Sequence, residues 1–116
     1  NIVTINADFY VPIDEVSIPT GEILKVEGTP MDFRTPQRVD SRINDPFEQL
    51  KFGAGYDHCY VIADSGLRHT AWLTGPETGI RMETLTTQPG VQLYTGNFLQ
   101  DCPAPGKGGV PMQKYG

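Results

Sequence analysis

The chemically assertive residues of this sequence fall into three groups. The densest polar pair is Asp57-His58, which follows Phe52-Gly53-Ala54-Gly55-Tyr56 and leads into the apolar run Cys59-Tyr60-Val61-Ile62. Side chains alternate across a strand with a period of two, so neighbours at 57 and 58 face opposite sides of a sheet and cannot act as one acid–base dyad. Two roles stay open for Asp57. It is either a carboxylate at a strand mouth that accepts hydrogen bonds from ligand hydroxyls, or a turn aspartate bonded to nearby backbone. His58 reads as structural. His69 stands between Arg68 and Thr70 with no titratable partner in local reach, and reads as solvated.

The second group is Asp8 with Asp14-Glu15, carboxylates of the kind that glycoside hydrolysis uses in pairs. They sit in Ala7-Asp8-Phe9-Tyr10-Val11-Pro12-Ile13-Asp14-Glu15, a stretch of turn formers in which aspartate commonly bonds its own backbone, so we read them as turn residues. The third group is Gln92, Tyr94 and Asn97, which bring amide, phenol and ring faces together within a few residues. That mixture suits a neutral polyol, which needs directional hydrogen bonds plus apolar contact with its C–H faces; it equally suits an ordinary edge strand. Cys59 and Cys102 have no His or Cys at ligand spacing, so no metal site is expected, and Cys59 reads as a small buried thiol.

Short strands must carry these residues. β-Branched and aromatic runs recur at 2–7, 22–26, 59–63, 71–74, 82–87 and 91–94, each bounded by Gly, Pro or Asp, which predicts an all-β sandwich. Ile18-Pro19-Thr20-Gly21 reads as a turn, and Gly75-Pro76-Glu77-Thr78-Gly79 as the loop of a hairpin. The one helical turn expected lies at 45–50 with Asp45 as its cap. From 101 to 116 the Gly/Pro-rich tail reads as loop, and no internal repeat points to a solenoid or propeller.

Composition narrows the classes further. At 116 residues the chain suits one domain or a piece of one. It is 38% apolar and 20% charged, which separates it from disordered sequences. Fourteen acidic residues against nine basic ones give a net charge of -5, which argues against nucleic acid and anionic membrane surfaces as partners. No run is long and apolar enough for a membrane span, and no signal-peptide pattern opens the chain, so a cytoplasmic protein is expected. The first residue is Asn1 and a strand-like run follows at once, which points to a chain cut from a longer parent.

Five blocks taken in order carry a resemblance. They are Ile5-Asn6-Ala7-Asp8-Phe9-Tyr10-Val11-Pro12-Ile13-Asp14, Ile18-Pro19-Thr20-Gly21-Glu22, Gly28-Thr29-Pro30-Met31-Asp32-Phe33-Arg34, Gly55-Tyr56-Asp57-His58, and the run from Thr86 through Pro89-Gly90-Val91-Gln92 to Phe98. Together they resemble the C-terminal half of the aldose 1-epimerases. The resemblance implies that residues 1–116 are part of a galactose-mutarotase-like antiparallel β-supersandwich, completed by the remainder of the parent chain. It also implies interconversion of the α and β anomers of free aldoses such as galactose and glucose, without a cofactor.

In that family a histidine acts as acid and a glutamate as base, in motifs that fall before and after this sequence. No catalytic residue is therefore assigned here, and His58, His69, Glu77 and Glu83 are not given those roles. Asp57, in Gly-Tyr-Asp-His, and Gln92, in Pro-Gly-Val-Gln, match the family's sugar-binding positions. The alternative is a non-catalytic carbohydrate-binding or sugar-sensing homologue.

Overall fold

The structure is a computed structural model and describes residues 1–115. Its strands are β1 (Ile2–Ile5), β2 (Phe9–Val11), β3 (Leu24–Lys25), β4 (Gln37–Arg38), β5 (Asp57–Val61), β6 (Arg68–Thr74), β7 (Arg81–Thr86) and β8 (Gly90–Tyr94). Among the described residues one α-helix, α1, runs from Glu48 to Phe52. The strands make two antiparallel sheets in the orders β4-β1-β6-β7 and β3-β2-β5-β8. The all-β antiparallel fold expected from the sequence is therefore present.

Alternation along the strands decides which side chains meet between the sheets. In β1, Val3 and Ile5 turn inward, and in β5, His58 and Tyr60 do, while Asp57, Cys59 and Val61 stay on the other face. The inward residues join Tyr10, Val26, Met31, Phe33, Leu50, Tyr56 and Ile62 in one core. Two buried phenols are satisfied by backbone: Tyr56 Oη donates to the Pro30 carbonyl and Tyr60 Oη to the Met31 carbonyl, each at 3.1 Å. Phe33 meets the rings of Tyr56 and Tyr60 edge-on, with centroids 5.1 and 6.3 Å apart. These bonds tie the segment around Pro30–Phe33 to the underside of β5, the strand that carries Asp57.

Several local expectations need correction. β2 and β4 add to the expected strands; three- and two-residue strands beside Pro12 and Pro36 carry too little pattern to register in the sequence. The helix begins two residues late: Phe47 is its extended N-cap, no side chain caps it, and Asp45 lies outside. Phe47 packs against the core, and burying that ring outweighs the side-chain cap that Asp45 would supply. The first tight reversal is not at 18–21 but just before it. Asp14 Oδ1 accepts the N–H groups of Val16 and Ile18, Ser17 takes a positive φ, and Pro19 pairs back to Ile13. That is the turn role expected of Asp14.

The hairpin loop at 75–79 forms as expected and joins β6 to β7, with the Gly75 N–H donating to the Ile80 carbonyl at 2.9 Å. A bulge between His69 and Ala71 shifts the β6 register, so His69 and Trp72 share a face and stack 5.7 Å apart at 3°. His69 is half-exposed, and a carboxylate does come near it across the hairpin, Glu83 at 3.9 Å. The tail is more ordered than a plain loop. A 3-10 turn at Leu99–Asp101 leads into it and a second at Lys107–Gly109 lies within it, and Tyr115 fastens it back by an N–H bond to the Gly96 carbonyl and an Oη bond to the Ala54 carbonyl, at 3.1 and 3.2 Å.

Candidate functional site

The outward face of the second sheet brings Asp57 and Gln92 together. β5 and β8 pair so that Asp57 stands opposite Tyr94, and Cys59 opposite Gln92. Asp57 and Gln92 are thus diagonal neighbours on one face. Gln92 Nε2 donates to Asp57 Oδ1 at 2.8 Å. This contact spans two strands, so the alternative role of Asp57 as a local turn residue does not describe it. One Gln92 N–H is spent on the pair; its other N–H, its carbonyl and Asp57 Oδ2 remain to meet a ligand. A donor beside two acceptors matches vicinal hydroxyls, each of which both gives and takes a hydrogen bond.

Tyr94 frames this pair. Its ring is 45% exposed, and its hydroxyl accepts the Phe98 N–H at 3.2 Å, which holds the ring in place. Asn97, grouped with Gln92 and Tyr94 on sequence, is not on the ligand edge. It is buried, and its Nδ2 donates to the carbonyls of Gly53 and Tyr56 at 2.6 and 3.0 Å. Thr95 Oγ1 accepts the Tyr56 N–H at 3.1 Å and also contacts Asn97 Oδ1. Asn97 and Thr95 therefore brace the 53–56 turn against the end of β8, which sets where Asp57 enters β5. Gly55 has φ +138°, and a Cβ there would lie 2.5 Å from Asn97 Oδ1, so this turn needs glycine.

Below the sheet, His58 supports the same place from the core side. The Asp57 N–H donates to His58 Nδ1 at 3.1 Å, and His58 Nε2 lies 3.2 Å from Gln49 Oε1. A backbone N–H can only donate, so Nδ1 is bare and the proton sits on Nε2. Gln49 also closes a two-way bond with Ile13, accepting its N–H at 2.7 Å and donating to its carbonyl at 3.0 Å. Burial pushes the His58 pKa down to about 4, against a smaller upward pull from the Asp57 charge. His58 is a neutral structural histidine, as expected, and it faces away from Asp57's carboxylate.

The remaining titratable candidates are scattered. His69 and Glu83 lie on the outward face of the other sheet, and Glu77 lies in the 75–79 loop. Asp8 bonds Arg34 at 3.1 Å, whereas Asp14 is held in its own turn, so the two do not form an acid–base pair. Cys59 is half-buried on the Asp57 face rather than in the core, and it and Cys102 are free thiols. Among the described residues no three of His, Cys, Asp and Glu converge on a metal-sized site, and no helix is long and apolar enough to cross a membrane.

A two-sheet antiparallel sandwich with a carboxylate–amide pair on one outward face is the class of structure these observations define. Comparison with known proteins gives the family. The family model described as aldose 1-epimerase matches residues 1–115. The chain is 41% identical to galactose mutarotase of Homo sapiens over 114 residues, covering 97% of this chain and 32% of that protein. It is 34% identical to aldose 1-epimerase of Escherichia coli (strain K12) over 102 residues, covering 86% of this chain and 29% of that one. Among solved structures, an aldose epimerase homologue from C. elegans superposes with a TM-score of 0.77 at 28% identity, over 98% of this chain and 32% of the other. Galactose 1-epimerase from Lactobacillus acidophilus NCFM gives 0.71 at 26% identity, with the same coverage.

The chain belongs to the aldose 1-epimerase family. It spans about a third of the length of the curated relatives it matches.

Proposed function

We propose that this chain is the C-terminal portion, residues 1–116, of an aldose 1-epimerase, and that it holds the sugar while the rest of the protein supplies the proton transfers. The observation that carries this reading is the Asp57–Gln92 pair, joined at 2.8 Å on one sheet face at the two positions that match the family's sugar contacts. The substrate class is a free aldose such as galactose or glucose. Its ring hydroxyls are neutral, which suits an acidic chain of net charge -5 better than a phosphorylated sugar does.

The chemistry needs a base to take the proton from the anomeric hydroxyl and an acid to give one to the ring oxygen. The C1–O5 bond breaks, the aldehyde carbon turns about the C1–C2 bond, and the ring closes on the opposite face. The pair on this chain orients the sugar for those transfers. A carboxylate–hydroxyl hydrogen bond contributes on the order of 1.5 to 3 kcal/mol, enough to fix one ring pose. The two free cysteines favour a reducing compartment, and we place the parent in the cytoplasm on that ground. The non-catalytic binder reading gains no support from the relatives, which are named as mutarotases and epimerases.

Polarimetry tests the proposal. The intact parent protein should speed the decay of optical rotation of freshly dissolved α-galactose or α-glucose above the buffer rate. An intact protein that binds galactose yet leaves the decay at the buffer rate would establish the binder reading instead.

A further inference from the structure

Gln92 stands on β8, an edge strand that pairs on one side with β5, so the turn that feeds the strand shares in fixing its place. That turn is short. β7 ends at Thr86 in the first sheet and β8 begins at Gly90 in the second, and only three residues cross between them. Gly90 guards the register, because a Cβ there would lie 2.7 Å from Cys59 Sγ, and a one-residue slip would turn Gln92 to the core face. Glycine also loosens the backbone, so the entry to β8 needs another anchor.

Arg68 supplies it. This half-buried side chain opens β6 opposite Thr86, and its guanidinium spends four of its five N–H groups on backbone carbonyls. Nη1 donates to Thr86 and Nη2 to Gln88, at 2.9 and 3.1 Å, on the turn into β8. Nε donates to Ala63 and Nη1 again to Gly66, both at 2.9 Å, on the segment that returns from β5 to β6. One planar fork thus ties together the two neighbouring crossings between the sheets. The Ile62 N–H completes the join by donating to the Pro89 carbonyl at 2.8 Å. Among the described residues no carboxylate pairs with Arg68, so its part lies in the directions of its donors and not in neutralising a charge.

We propose that Arg68 is a positioning residue for Gln92: by holding the 86–90 turn it keeps the Gln92 amide within reach of Asp57 and of the ligand. The consequence for the sugar rests on the epimerase reading above, whereas the placement of Gln92 can be measured without it. Arg68 itself bonds neither residue of the pair. Gln92 Nε2 lies 2.8 Å from Asp57 Oδ1, and a displacement of ~1 Å would carry it past hydrogen-bond distance, so a small relaxation of the turn is enough to undo the pair. Lysine at this position would keep the charge but offer three donors from one point, which cannot reach four carbonyls on two segments.

The test uses the intact protein and reads Gln92 in two ways. In amide NMR spectra the side-chain NH2 signals of Gln92, one proton of which is bonded to Asp57, should shift in Arg68→Lys and shift further in Arg68→Met, which keeps an apolar stem and no donor. Backbone amides of β1 and α1 should stay in place, which shows that the variants are folded. In galactose kinetics Arg68→Lys should lower kcat/KM about 5-fold, yet leave it within about twofold in a protein already carrying Gln92→Ala, because the residue it positions is then gone. Unmoved Gln92 signals, or equal losses in the two backgrounds, would overturn the positioning role. A wild-type protein without mutarotase activity would instead overturn the epimerase reading, and the Gln92 signals would still decide the role of Arg68.

Discussion

Assayed alone, residues 1–116 should leave the rotation decay of α-galactose at the buffer rate, while the intact parent accelerates it by several orders of magnitude. General acid–base groups typically contribute about 100- to 10,000-fold each, and this chain offers neither group beside the Asp57–Gln92 pair. His58 is the nearest imidazole, but it lies on the core face of β5, neutral, with both ring nitrogens engaged. His69 and Glu83 lie on the other sheet. The same segment should also behave as an incomplete sandwich. β7 and β8 are edge strands of their sheets, and Ile80, Met82 and Leu85 are exposed along the β6–β7 hairpin. Open edges with apolar residues invite association, so its amide NMR spectrum should be broad and should sharpen when the rest of the protein is added. Measurable mutarotation by the segment would mean that one of its own groups transfers protons, contrary to the geometry.

A pH change from 7 to 4 should remove about 3 kcal/mol of stability through His58 alone, given a folded pKa of about 4 against an ordinary value near 6.5. The folded pKa is the lower one. Between the two values the unfolded chain binds a proton that the folded chain refuses, so stability is complete above pH 6.5 and drains away as pH falls towards 4. Urea midpoints of the intact protein across this window should show that slope. In His58→Gln the slope should be reduced by the His58 share; the loss that follows below about pH 4 belongs to carboxylates such as Asp32, whose pKa the Arg34 hydrogen bond holds down. An unchanged slope in the variant would show that His58 takes up its proton in the folded state as readily as in the unfolded chain, against the burial argument.

The separation of Asp57 from His58 was legible because strand periodicity alone puts neighbours on opposite faces, and the structure places them so on β5. The hairpin at 75–79 was legible for a similar reason, since its turn residues act locally. What stayed hidden depends on distant partners. Asn97 looks like a ligand residue in its own sequence neighbourhood, and only its bonds to Gly53 and Tyr56, more than forty positions away, make it a brace. Gln49 resembles any polar residue of a short helix until Ile13 and His58 meet it in the core. Its place beside Leu50, the buried apolar residue of that turn, was the available hint. Gln92 fits an edge strand as well as a ligand site; the family resemblance singled it out, and the pairing register then put it beside Asp57.

The account depends most on Asp57 and Gln92 touching the sugar, and steady-state kinetics of the intact protein on galactose measure that most directly. Asp57→Ala and Gln92→Ala should each lower kcat/KM about 10- to 100-fold, the expected cost of removing a hydrogen bond between a sugar hydroxyl and a charged or charge-paired group. Their melting temperatures should stay close to that of the wild type, because the pair lies on the outward face and outside the core. Wild-type kinetics in either variant, across the full range of galactose concentrations, would contradict the assignment of that residue to the site.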